Sequence, residues 1–178
     1  IVYSQFATVA MFDAIFLTDQ ARMLYVDYHK QTTAISLEQE SLLRARMTNE
    51  NKYFISFYVI GHQKEHLYNT SKDLFTGSYH KNSELLGGKD ATWNVTMIVN
   101  GREYTPESVR VVDLPFEYRE FFKGRFSQHS NTYLVRFSPV GADQKLILVP
   151  HKKHTVMLRF TSPLYKTELV WKNLVYGV

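Results

Sequence analysis

Apolar and polar residues alternate along much of the chain, and this alternation limits the possible folds more than any other feature of the sequence. In the segment 52–60, alternate positions form one wholly apolar face, made of Tyr53, Ile55, Phe57 and Val59. Ser56 and Tyr58 fall on the opposite face. A period of two predicts a strand that covers a core with one of its faces.

The same alternation recurs at 93–99, and the dipeptide Asn100-Gly101 follows it directly. This dipeptide predicts a type I′ hairpin turn, because both residues tolerate a positive φ. Further alternating segments follow at 108–112, 132–137, 145–149, 155–160 and 167–171. The pattern predicts an antiparallel β-sandwich of about seven strands over residues 51–178. Trp93 resembles the buried tryptophan of an immunoglobulin-like core, but without paired cysteines the resemblance concerns architecture alone.

The first 50 residues show a different pattern. Apolar residues recur there at three-to-seven spacing, namely Val9, Phe12, Phe16 and Met23, and 5–47 contains no Gly or Pro. We therefore predict an N-terminal helical segment over residues 1–50. A helix start is predicted at Ser36, because Gln39 stands at the position that completes a capping box. The helical segment and the sandwich are expected to form one globular unit.

Charge and cysteine content exclude some functions. The 21 basic and 17 acidic residues are spread along the chain, so the net charge of +4 does not favour nucleic-acid binding. The absence of cysteine excludes disulfides, thiolate nucleophiles and cysteine-based zinc sites within these residues. A cysteine-free chain is compatible with the cytosol and with a bacterial envelope. The first residue is not Met, which favours an exported protein of the periplasm or outer envelope, and a cytoplasmic location is not excluded. Membrane association is expected only through a signal or lipidated cysteine preceding Ile1.

The stretch Gly61 to His66 contains a zinc-protease pattern. His62, Glu65 and His66 match H-x-x-E-H letter for letter. In such a motif two histidines hold zinc from one face of a helix while the glutamate acts on bound water. Here the pattern directly follows a predicted strand, so we interpret it as a polar strand end and keep a zinc-dependent hydrolase as the alternative.

Two other segments are candidate binding surfaces. The segment 115–124 predicts a short helix opened by proline. Its four aromatic residues, Phe116, Tyr118, Phe121 and Phe122, cannot all face one core, so some are expected to form a contact surface. A basic cluster, His151, Lys152, Lys153 and His154, is expected to form a solvated tip that suits a phosphate or an acidic headgroup.

No set of residues predicts a catalytic centre, and no cofactor is predicted. The sequence therefore favours a non-enzymatic exported module, binding or structural, such as a bacterial cell-envelope protein or lipoprotein domain. Its expected partner is a protein or an envelope surface, and not a nucleic acid.

Overall fold

The computed structural model describes residues 2–4, 7–63, 85–88, 91–122 and 131–176. These residues form nine strands in two antiparallel sheets. The strands are β1 (Val2–Ser4), β2 (Ala7–Phe16), β3 (Ile55–Gln63), β4 (Asn94–Val99), β5 (Arg102–Tyr104), β6 (Ser108–Val111), β7 (Asn131–Phe137), β8 (Lys153–Thr161) and β9 (Lys166–Val175). The larger sheet has the order β1-β2-β3-β7-β6 and the smaller sheet the order β5-β4-β8-β9.

The inner faces of the two sheets pack against each other and form the main core. Phe12 on β2 stacks on Phe160 of β8, with ring centroids 4.2 Å apart. Trp93 is buried, and Trp171 of β9 packs its ring against Phe57 of β3. Aromatic contacts therefore join strands of both sheets, and the predicted mainly β, antiparallel sandwich is confirmed.

A helical hairpin separates two strands that are neighbours in the larger sheet. Helix α1 (Asp19–Thr32) and helix α2 (Leu37–Tyr53) follow β2, and the chain then returns as β3, which pairs with β2. Ser36 and Gln39 form the predicted capping box at the start of α2. No helix in the described part of the chain is long and apolar enough to cross a membrane.

A second, smaller core lies on the outer face of the larger sheet. It is formed where α1 and a short helix α3 (Phe116–Arg119), extended by a 3₁₀ turn at Glu120–Phe122, cover that face. Its buried members are Leu17, Ile60, Leu114, Tyr118 and Phe122. His29 of α1 is paired with Glu117 of α3 at 2.7 Å, so the two helices are also joined by polar atoms.

Helix α2 is largely exposed, and charged groups connect it to α1. Lys30 lies 2.7 Å from Glu40, and Arg44 contacts both Glu40 and Asp27. Hydrogen bonds from Lys30 and then Arg44 lower the pKa of Glu40. These surface pairs add to the contact between the two helices, each by a small amount because water screens their charges.

Three predictions from the sequence require correction. The helical interpretation of the first residues is wrong over Val2–Ser4 and Ala7–Phe16, which form β1 and, in the interior of the larger sheet, β2. The segment 145–149 is not a strand, and only an isolated bridge joins Val140 and Leu146. Tyr53 ends α2 instead of starting β3. The hairpin at Asn100 is confirmed, with φ values of 51° and 78° at Asn100 and Gly101.

Candidate functional site

A buried polar cluster joins the beginning of α1 to the end of α2. The Asn51 amide donates from Nδ2 to Oδ1 of Asp19 at 2.6 Å. Its Oδ1 accepts from Nε of Arg22 at 2.8 Å. All three residues are buried. The carboxylate accepts and the guanidinium donates, so the two charged neighbours determine which way the amide points.

Arg22 extends this cluster toward the outer face of the larger sheet. Its Nη1 donates to Oε2 of Glu50 at 2.9 Å. The same oxygen lies 3.9 Å from Nη2 of Arg136 on β7. The guanidinium of Arg136 also lies over the ring of Phe54, 4.9 Å from its centroid. Glu50 is therefore the carboxylate that offsets the charge of Arg22, and Asp19 forms no ion pair with any residue that the structure describes.

Tyr176, which follows β9, connects the C-terminal strand to α2. Its hydroxyl donates to the backbone oxygen of Asn51 at 3.1 Å. Burial raises the pKa of Tyr176, and the negative charge of Asp19 raises it further. The phenol therefore stays protonated and keeps its role as a donor at any physiological pH.

A cavity of about 340 Å³ opens beside this cluster. Its polar side consists of Asp19, Asn51 and Tyr176, and Thr48 and Lys52 of α2 also line it. Its apolar side consists of Ile55, Pro139, Leu146, Leu148 and Pro150. Leu148 is buried, whereas Leu146 is 51% exposed. The cavity has the size and the mixed lining of small-molecule sites in proteins, and it is open to solvent, since Thr48, Lys52, Leu146 and Pro150 are exposed.

Four of the five apolar lining residues belong to the loop between β7 and β8, and backbone hydrogen bonds hold this loop. The N–H of Gly141 donates to Lys145 at 2.8 Å, and that of Ile147 donates to Pro139 at 2.9 Å. Asp143 accepts from the N–H of Lys145, which is the main reason that its pKa is lowered. Because the loop supplies its own partners, the wall has its shape before any ligand binds.

The predicted aromatic surface is divided between core and solvent. Phe116 and Phe121 are exposed at 57% and 47%, whereas Tyr118 and Phe122 are buried. The ring of Tyr118 lies parallel to that of Tyr25 on α1, with centroids 5.0 Å apart, and burial raises the pKa of its hydroxyl. Of these four residues, Phe116 and Phe121 therefore present an aromatic surface to solvent.

The predicted basic tip is also divided. His151, Lys152 and Lys153 are exposed at the start of β8. His154 is buried, and its Nε2 lies 2.9 Å from the backbone oxygen of Val149. Since a carbonyl oxygen only accepts, Nε2 is the donor, and this imidazole holds the turn in place instead of extending into solvent.

The zinc-protease pattern begins on a strand. His62 belongs to β3 and pairs in register with Met11 of β2. Glu65 and His66 lie outside the described residues. No group of three or more metal-ligating side chains occurs within the described ranges. The helix that would bring two histidines of this motif onto one face does not exist at His62.

The three polar residues of the cavity were not singled out from the sequence. Asp19 follows Thr18, whose hydroxyl caps α1 by accepting from the N–H of Ala21. A Thr-Asp pair ahead of a helix is a usable signal for the start of α1. Nothing in the sequence near Asn51 or Tyr176 marks them as partners of Asp19.

The fold and the site define a class: a cysteine-free antiparallel β-sandwich that carries a helical hairpin and a ligand-sized cavity where the two meet. Comparison of the chain with protein-family models, with curated proteins and with solved structures finds no match. The immunoglobulin-like architecture stays a prediction.

Proposed function

We propose that this protein is a binding module that holds a small ligand in the cavity between α2, the β7–β8 loop and the residue that follows β9. The observation that carries the proposal is that polar residues of the helix ends and apolar residues, most of them from the β7–β8 loop, line the same cavity. Such a lining suits a ligand with a polar head and a short hydrocarbon body, since the head orients it and the body supplies buried area.

Fixed side chains support this proposal. Asn51 is held by Asp19 and Arg22, and Tyr176 is held by the backbone of α2. A ligand that meets preorganised groups loses less free energy to the ordering of the site.

Two further parts of the proposal concern setting and partners. We place the module in a bacterial envelope, and fractionation of cells that express the full native gene would test this; recovery from the cytosol with an uncleaved leader contradicts it.

We assign contact with a protein or an envelope surface to Phe116 and Phe121. Replacing both by Ser should weaken that contact, and unchanged association of the double variant with envelope fractions contradicts it.

Ligand binding in the cavity is tested by filling the cavity with a large side chain. Thr48 lines the cavity and is exposed on α2, whereas its neighbour Asn49 is exposed but does not line it. We expect Thr48→Trp to fill the cavity, and Asn49→Trp is the matched control. The probes are hexylammonium, 1-hexanol and hexanoate, and binding of each is measured by protein-detected NMR.

The proposal requires that at least one probe binds the native protein and the control, and that binding is lost in Thr48→Trp. Absence of binding by all three probes, or equal binding by both tryptophan variants, would contradict it.

A further inference from the structure

We infer that the cavity selects a small primary amine in its ammonium form, with Asp19 as the group that receives the positive charge. This inference rests on the proposed function and adds the chemical class of the ligand. Its structural basis is the position of the carboxylate at the polar side of a cavity whose other side is apolar.

Asp19 is a buried carboxylate whose charge is not paired by the described part of the protein. Asp19 is 9% exposed, and its Oδ1 accepts one hydrogen bond from Asn51. The position in the first turn of α1 compensates in part, because the helix dipole favours a negative charge there. A carboxylate in such a place gains more from a cation than an exposed one does, since water screens their attraction less.

The nearest buried cation does not supply this charge. Arg22 directs Nε to Asn51 and Nη1 to Glu50. The amide of Asn51 therefore lies between the guanidinium and Asp19. Because this amide uses its oxygen for the arginine and its nitrogen for the carboxylate, it keeps the two charges apart and leaves Asp19 facing the cavity.

The charge of Lys52 makes the inference testable in a second way. Lys52 is exposed and lines the cavity. Its ammonium group opposes a cationic ligand and favours an anionic one. Removing it should strengthen binding of an amine and weaken binding of a carboxylate, which is opposite to the effect of removing Asp19.

The volume agrees with a short amine. About 340 Å³ corresponds to roughly eleven water-sized groups, so a six-carbon chain with its ammonium head fits. The chain would lie on Pro139, Leu146 and Pro150, whose surfaces are accessible, and the head would lie at Asp19 and the hydroxyl of Tyr176. 1-Hexanol has the same hexyl body as hexylammonium and differs only in the head, and hexanoate carries a pentyl body with an anionic head.

The experiment compares the three probes on the full chain near pH 7 by calorimetric or NMR titration. We expect hexylammonium to bind at least about tenfold more tightly than 1-hexanol, as a charge-assisted hydrogen bond provides. In Asp19→Asn, which keeps an acceptor for Asn51, the ratio of these two affinities should fall toward one. In Lys52→Ala, affinity for hexylammonium should rise about two- to fivefold.

The outcomes separate the inference from the proposed function. If 1-hexanol and hexylammonium bind equally, and neither charge variant changes their ratio, the selectivity for amines is wrong while the binding cavity stands. If hexanoate binds best and is weakened by Lys52→Ala, the ligand is an anion and the inference is overturned. If none of the probes binds the native protein, the proposed function itself fails. Lys52→Ala keeps the test valid even where Asp19→Asn does not fold, because Lys52 is exposed.

Discussion

Replacing Asn51 by Ala tests whether the buried polar cluster holds the two helices of the hairpin together at the end that adjoins the sandwich. The substitution removes the hydrogen bond to Asp19 and the hydrogen bond from Arg22, both of which involve a charged partner. It leaves the hydrogen bond from Tyr176 intact, because that bond ends on the backbone oxygen. Its effect on the free energy of unfolding therefore reports on the side-chain amide alone.

The magnitude follows from the two lost bonds. Each bond to a charged group contributes about 1.5–3 kcal/mol, so their simple sum is about 3–6 kcal/mol. Water from the adjoining cavity can replace the amide at Asp19, which reduces the loss there. Ala is also a better helix former than Asn, by roughly 0.5 kcal/mol. We expect a net destabilisation of about 2–4 kcal/mol.

The matched control is Asn49→Ala, the same change two positions earlier on the exposed side of α2. It should keep or raise the stability, because only helix propensity changes. Urea unfolding monitored by circular dichroism measures both variants. If they differ by less than about 1 kcal/mol, the Asn51 amide does not hold the hairpin, and the argument for a preorganised cavity loses its support.

Three further perturbations test other parts of the structure. A Cβ at Gly61 would lie 2.3 Å from Cδ2 of Leu85, so Gly61→Ala should lower the free energy of unfolding in urea by about 1–3 kcal/mol. The double variant with Leu85→Ala should be less destabilised than the sum of the two single variants. Full additivity would contradict the contact between position 61 and Leu85. Because the pKa of Glu40 is lower in the folded protein than its ordinary value of 4.5, its ion pairs stabilise the fold above pH 4.5. This contribution to the free energy of unfolding is lost as the pH falls through the lower pKa of the folded state. Glu40→Gln should therefore flatten the fall in stability on acidification below that pH, and an identical acid profile in both proteins contradicts this. The native protein and His62→Ala, both prepared without metal, should have the same affinity for zinc, because His62 lies on a strand and not on the helix that the zinc motif requires. Micromolar zinc binding that is lost in the variant would restore the hydrolase alternative.

The core strands that follow β2 could be predicted because alternate residues of each one form an apolar face. The alternation at 93–99 corresponds to β4, with Val95, Met97 and Val99 buried. The positive φ at Asn100 was predictable for the same kind of local reason, since few residues tolerate that conformation. Such features depend on neighbours in sequence, and the sequence shows them directly.

Strand β2 could not be recognised from spacing alone. Phe12 and Phe16 are four positions apart, which places them on one face of a helix and equally on one face of a strand. The absence of Gly and Pro favoured the helix. The pairing of β2 with β1 and β3 determines the outcome, and long-range pairing of this kind is not encoded in the spacing of one segment.

The cavity depends on long-range pairing still more strongly. Its lining comes from the start of α1, the end of α2 and beginning of β3, the β7–β8 loop and the residue after β9. The hairpin lies between strands that are neighbours in the larger sheet, so the first residue of α1 and the last turn of α2 must both lie near the same end of that sheet. The two helix ends carry four of the polar lining residues, and the β7–β8 loop carries four of the five apolar ones. The polar part of the lining is thus a consequence of where the hairpin is inserted, whereas the apolar part requires that a loop more than 80 residues further along the chain reaches the same place, which no local pattern encodes.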